Sequence, residues 1–226
     1  MENLKDVDSD DDQYNDNEES VKVVLIGESG VGKTSIITQF INRNFNQDLM
    51  TTNGATFSTK SKVYKELKKI ITFEIWDTAG QEKYRSLSQL FFKDASVALI
   101  IYDITSKPSF EEIKNYWLNL VKENSPKNII IYIIGNKYDL LDRETVKEEE
   151  AREFAKNENI FFWLTSAKDA VGIDDLFDDI GKRYLSPEFS ENPENIERKM
   201  RKNEINKIDS NSGNNSNKKK KKKCCG

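Results

Sequence analysis

An apolar run, Val21 to Ile26, ends in Gly27-Glu28-Ser29-Gly30-Val31-Gly32-Lys33-Thr34, and apolar residues return at helical spacing at Ile36, Ile37, Phe40 and Ile41. No other stretch restricts the possible folds as strongly. The string is GxxxxGK[ST], set between a strand and a helix. Its glycines let backbone N–H groups curl around phosphate oxygens, and the helix that follows turns its positive end toward them. Lys33 can reach the outer phosphates, and the Thr34 hydroxyl can ligate Mg²⁺. The competing reading is an ordinary glycine-rich turn. The strand-to-helix context is what the phosphate reading demands.

The rest of the middle of the chain alternates in the same way. Val97–Tyr102, Ile129–Ile134 and Ile160–Leu164 are nearly continuous apolar runs, as strands of a parallel sheet covered on both faces must be. Phe57–Lys65 is more polar and reads as an edge strand. Ile70–Trp76 can form a hairpin with it. Helical spacing recurs at Phe110, Ile113, Trp117, Leu120 and Val121, where Ser109 and Glu112 predict a capping box. Thr145 and Glu148 predict a second box ahead of Ala151, Phe154 and Ala155. Ile173, Leu176, Phe177, Ile180 and Tyr184 form the last pattern before Pro187. The expected fold is α/β, doubly wound, with a mostly parallel sheet of about six strands and five helices. Ligands then belong at the carboxyl ends of the strands.

Charge divides the chain into three parts. Residues 1–20 carry nine acids and one lysine, net −8, while residues 186–226 carry net +5 and residues 21–185 net −1. The expected organisation is an acidic disordered extension over 1–20, a folded domain over 21–185 and a disordered tail over 186–226. The tail passes through Asn/Ser-rich sequence into six lysines, Lys218 to Lys223, and then Cys224 and Cys225. The chain contains no histidine, which excludes Ser-His-Asp catalysis and HExxH zinc chemistry. Its two cysteines cannot staple a core or complete a four-ligand zinc site, and they fit a reducing compartment. Neither a bilayer-spanning apolar run nor the basic-then-apolar layout of a signal peptide is present.

Further strand ends narrow the chemistry. Ile70–Trp76 runs into Asp77-Thr78-Ala79-Gly80-Gln81. Asp77 can hold the Mg²⁺ shell, a Gly80 N–H can contact a γ-phosphate, and Gln81 can orient water. Ile129–Ile134 leads to Asn136-Lys137-Tyr138-Asp139. A carboxylate at Asp139 can accept from N1–H and the 2-amino group of guanine. Adenine offers neither donor and would leave a buried carboxylate unpaired. Ser166-Ala167-Lys168 follows the last strand. Each string is weak alone, whereas four in this order, each at a strand end, reinforce one another.

GESGVGKT, WDTAGQE, NKYD and TSAK resemble the nucleotide-binding boxes of the Ras-like small GTPases. ITFEIW (71–76), TAGQEKY (78–84), FFKDA (91–95), YDIT (102–105) and the terminal CCG resemble the Rab branch. The likeness covers about residues 21–185. It implies a GTP/GDP switch that uses Mg²⁺, hydrolyses GTP slowly, on the order of 10⁻⁴ to 10⁻² s⁻¹ unaided, and recruits effectors in vesicle trafficking. It assigns nucleotide contacts to Ser29, Gly30, Val31, Gly32, Lys33, Thr34, Ser35, Phe45, Thr52, Gly80, Asn136, Lys137, Asp139, Ser166, Ala167 and Lys168. Mg²⁺ ligands fall on Thr34, Thr52 and Asp77, and catalysis on Gln81 and Lys33. Phe45 would lie edge-on to guanine or else in the core. Thr51, beside Thr52, allows a slip of one residue. Phe57, Trp76 and Phe91 match an aromatic triad read by partners, with core packing as the alternative. Asn53 stands where the family usually has isoleucine, which should alter partner choice without removing a nucleotide ligand.

The resemblance further implies an exchange factor, an activating protein and a dissociation inhibitor as partners. It makes Cys224 and Cys225 the sites of two geranylgeranyl groups. Two chains give stable attachment, and the lysines add up to about 1 kcal/mol each against anionic lipids. The expected location is the cytoplasmic face of an intracellular membrane, with cycling through cytosol and no nucleic-acid partner. The alternative for the tail is a pair of inert thiols behind a nucleic-acid-binding or nuclear-import run. For the whole chain the alternatives are a P-loop kinase or ATPase, which predicts no NKxD string, and a GTP-binding scaffold that does not cycle.

Overall fold

The computed structural model describes residues 18–46, 54–78 and 91–191. Six strands form one sheet: β1 (Glu18–Ile26), β2 (Thr56–Tyr64), β3 (Lys69–Asp77), β4 (Val97–Asp103), β5 (Ile130–Asn136) and β6 (Phe161–Leu164). Their order across the sheet is β2-β3-β1-β4-β5-β6. The β2–β3 hairpin is antiparallel, and all other neighbours are parallel. β4 and β5 are buried at every position, as their apolar runs Val97–Tyr102 and Ile130–Ile134 require. β2 lies at an edge and alternates in burial. β1 starts at Glu18, three residues before the apolar run. The two glutamates are admitted because each carboxylate finds a donor: Thr72 Oγ1 to Glu18 at 2.7 Å and Lys69 Nζ to Glu19 at 3.0 Å.

The helices are α1 (Lys33–Asn42), α2 (Lys107–Glu112), α3 (Leu118–Asn124), α4 (Glu148–Asn157), α5 (Ile173–Leu185) and the short α6 (Pro187–Ser190). A π-helical turn, Ile113–Trp117, joins α2 to α3. Phe91 and Phe92 are helical as well. One core cluster runs from β1 and β4 into this helix, with Ile100, Phe110, Ile113 and Val121 completely buried.

Neither predicted capping box forms. α2 starts at Lys107, two residues before Ser109, because Pro108 is compatible with a first helical turn and so sets the start earlier. Ser109 Oγ instead donates to the Ser106 carbonyl at 2.7 Å and accepts from the Asp103 N–H at 3.1 Å. α4 opens at Glu148 itself, with Lys147 as N-cap and no side-chain cap. Glu148, Glu149 and Glu150 in its first turn face the positive helix end. The Thr145 N–H is committed to the Ile104 carbonyl.

The end of β2 is locked to α5 by Tyr64, whose hydroxyl donates to the Phe177 carbonyl at 3.0 Å. A Cβ on Gly181 would lie 2.0 Å from that hydroxyl oxygen and 2.3 Å from the ring carbon bearing it. Gly181→Ala should therefore destabilise the fold by about 1–2 kcal/mol, overpacking outweighing the gain in helix propensity. Urea unfolding at an unchanged m-value measures this.

By internal contacts the chain divides into Met1–Tyr184 and Leu185–Gly226. In the second unit, α6 begins with proline in its first turn. No helix among the described residues is long and apolar enough to cross a membrane.

Candidate functional site

The loop between β1 and α1 is held from several elements. Lys33, 6% exposed, donates to the Gly27 carbonyl at 2.9 Å and the Glu28 carbonyl at 2.8 Å. Asn136, at the end of β5, donates its Nδ2 to the Val31 carbonyl at 2.8 Å, and its Oδ1 accepts from Thr165 Oγ1 at 3.1 Å. Gly32 is the N-cap of α1 at φ +97, and a Cβ there would lie 2.3 Å from Asn136 Nδ2. The close approach of loop to strand end therefore depends on this glycine. Ser29 and Gly30 are exposed, and Ser35 is half-buried in the first turn of α1.

Thr34 Oγ1 donates to Asp77 Oδ2 at 2.6 Å, joining α1 to the end of β3. Asp77 Oδ1 is buried with no hydrogen-bond partner among the described residues. Burial pushes the Asp77 carboxyl up, against the Thr34 hydrogen bond and the Lys33 charge. Burial likewise lowers the Lys33 ammonium to about 8, against the Asp77 and Glu28 charges. A buried cation, a carboxylate oxygen with no partner among the described residues and a hydroxyl thus lie together where α1 meets the end of β3. Hard oxygen donors of this kind suit Mg²⁺, and a phosphate would pair the ammonium. The residues present fit both groups.

At the next strand ends, Ser166 Oγ donates to Asp139 Oδ1 at 2.8 Å, and Lys168 Nζ lies 4.0 Å from Oδ2. Ser166 and Ala167 are buried. Lys137 adopts φ +66, a left-handed conformation that costs a non-glycine residue about 1 kcal/mol or more. Its ammonium pairs with Asp103 Oδ2 at 2.7 Å. Phe45, beyond α1, is half-buried. Phe57, Trp76 and Phe91 form a row with ring centroids 5.0 and 5.6 Å apart, and Phe57 remains 53% exposed. Thr51, Thr52, Asn53, Gly80, Gln81, Cys224 and Cys225 lie outside the described residues.

Two partners were not apparent from sequence. Asp103 meets Lys137 because β4 and β5 pair in register, Asp103 opposite Asn136; only strand alignment could have signalled it. Trp117 donates its Nε1–H to Glu28 Oε1 at 3.3 Å across 89 residues, with no spacing signal at all.

The sequence model of the Ras family matches residues 22–186. Ras-related protein Rab-22A of Homo sapiens is 41% identical over 167 residues, covering 74% of this chain and 84% of that protein. Ras-related protein RABA1i of Arabidopsis thaliana is 40% identical over 159 residues, covering 70% and 72% respectively. Ras-related protein Rab11C of Nicotiana tabacum is 42% identical over 156 residues, 69% of each chain. The chain therefore belongs to the Ras family and is a Rab-like small GTPase, which binds GTP and GDP with Mg²⁺, hydrolyses GTP and works with regulators and effectors in membrane trafficking.

Proposed function

We propose that the residues named above divide the GTPase cycle as follows. Lys33 and the N–H groups from Ser29 to Ser35 hold the β- and γ-phosphates. Thr34, Asp77 and Thr52 hold Mg²⁺, which when bound neutralises charge on the phosphate oxygens. Asn136, Lys137, Asp139, Ser166, Ala167 and Lys168 enclose guanine, with Phe45 against its edge. Gln81 orients a water in line with the γ-phosphorus, and the Gly80 N–H meets a γ-oxygen. Water attacks phosphorus, the bond to the bridging oxygen breaks, and GDP and phosphate leave. Lys33 and the loop amides stabilise the charge that develops. The observation that carries this reading is the pairing of Thr34 with an Asp77 whose other oxygen is buried and has no partner among the described residues.

The test is single-turnover hydrolysis. Gln81→Leu should keep GDP affinity near the parent value and slow hydrolysis at least about tenfold, or 1.4 kcal/mol of barrier. Equal rates in the two proteins would remove Gln81 from the mechanism.

Residues 1–20 act as an acidic extension whose last three, Glu18 to Ser20, run into β1, 21–185 as the switch domain and 186–226 as a tether that opens with α6. Cys224 and Cys225 carry two geranylgeranyl groups, and Lys218 to Lys223 add attraction to the cytoplasmic face of an intracellular membrane. Support comes from the pairing of two terminal cysteines with a lysine run in a Rab-like chain. Replacing both cysteines by serine should leave hydrolysis intact and move the protein from the membrane pellet to the cytosol. Undiminished pelleting would leave the lysines as the anchor.

A further inference from the structure

We propose that Trp117 is a positioning residue for the phosphate-binding loop: its indole N–H holds the Glu28 carboxylate, keeps the loop in its phosphate-ready form and so slows nucleotide release. The proposal rests on reading Gly27–Thr34 as the nucleotide loop. Such a loop needs external anchors, because Gly30 and Gly32, at φ +78 and +97, leave its backbone little steric restraint of its own. Three anchors belong to the nucleotide boxes themselves: Lys33 on two loop carbonyls, Asn136 on the Val31 carbonyl and Thr34 on Asp77. All three engage the loop from Val31 onward or through the Lys33 ammonium. The bond from Trp117 to Glu28 engages its first half, from a helix that carries none of those boxes.

Trp117 is suited to act as a fixed post. It is 2% exposed, belongs to the main core cluster and packs edge-on against Tyr116 at 4.9 Å between ring centroids. It closes the π-helical turn Ile113–Trp117. A π-turn adds a residue to one helical turn and so changes which side chains the helix presents, and such turns recur at functional sites. On this flank a cavity of about 250 Å³, lined by Glu28, Ser29, Gly30, Pro108, Ser109 and Glu112 among others, lies between the loop and α2. The loop thus has room to move there. Glu28 also connects the post to the chemistry, since its own carbonyl is an acceptor for the Lys33 ammonium at 2.8 Å. A shift of Glu28 displaces that acceptor. Its carboxylate further favours the charged form of Lys33.

The test uses the full chain loaded with a fluorescent GDP, chased with excess GDP in the presence of Mg²⁺. Trp117→Phe keeps a ring in the core and loses the donor. Release should accelerate about three- to tenfold, the size expected for loss of one ordinary, partly exposed hydrogen bond. Glu28→Ala should match it, and the double variant should be no faster than the faster single. Glu28→Gln retains an amide oxygen as acceptor and should restore release toward the parent rate. A role in core packing alone would instead lower the melting temperature of Trp117→Phe and leave Glu28→Ala at the parent rate; that pattern, or a parent-like rate in Trp117→Phe, overturns the proposal. If Trp117→Phe does not fold, the contrast between fast Glu28→Ala and slow Glu28→Gln decides. Lys33→Ala separates the underlying reading. If Lys33→Ala loads GDP as the parent does, the loop assignment itself fails. If it fails to load while the Trp117 and Glu28 variants release at the parent rate, only the positioning role fails.

Discussion

Asp139→Asn should weaken GTP and GDP binding by about 10²- to 10⁴-fold and create affinity for xanthine nucleotides, the range by which sites built on buried hydrogen bonds reject a mismatched partner. The geometry makes the sign specific. Ser166 Oγ donates to Asp139 Oδ1 at 2.8 Å, whereas Oδ2 lies 4.0 Å from the Lys168 ammonium, beyond hydrogen-bond distance, and remains available to a base. In the variant the amide oxygen keeps the Ser166 contact, and the NH₂ takes the position of Oδ2. That donor would face the donors of guanine, whereas xanthine offers a carbonyl oxygen in place of the 2-amino group. Competitive titration of fluorescent GDP against GDP and XDP measures both arms. Parent-like GDP affinity in the variant would show that Asp139 does not read the base.

Gly32→Ala should abolish tight nucleotide binding, lowering affinity at least about 100-fold, with little change in secondary structure. The methyl group would lie 2.3 Å from Asn136 Nδ2, and the residue would have to hold φ +97. Relief requires Asn136 to leave the Val31 carbonyl and Thr165, which costs about 1–3 kcal/mol for each buried group left unpaired, in addition to backbone strain. The clash and the strain fall on the loop itself, so the penalty is expected as lost affinity. Gly32→Ala with parent-like GDP affinity and a normal circular dichroism spectrum would mean that the loop tolerates a side chain there. The conjunction of loop and strand end would then not be what binds phosphate.

The strand-to-loop transitions were legible because each combines two signals of different origin. Burial on both faces forces unbroken apolar runs such as Val97–Tyr102 and Ile130–Ile134, and the runs stop where polar chemistry begins, at Asp103 and Asn136. Gly27, Asp77, Asn136 and Ser166 therefore announce themselves as ends of elements as well as parts of motifs. Helix starts were less legible. Ser109 and Thr145 fit a local capping pattern, yet both are drawn into contacts with the backbone of the β4 end, Asp103 and Ile104. A local pattern of modest energy gives way when tertiary neighbours offer the same groups other partners.

The amino-acid sequence by itself determined the order of strands and helices, the glycine-rich loop between β1 and α1, the place of Asp139 just beyond β5 and the opposite charges of the two ends. These follow from periodicity and short-range spacing, which operate over a few residues. Only the tertiary structure decided how those parts engage one another: Thr34 on Asp77 across 43 residues, Asn136 on Val31 across 105, Lys137 on Asp103 through strand register, and Trp117 on Glu28 across 89. Each of these bonds joins groups carried by different elements. Its existence depends on sheet order, helix rotation and a single π-turn, none of which leaves a periodic trace in the chain.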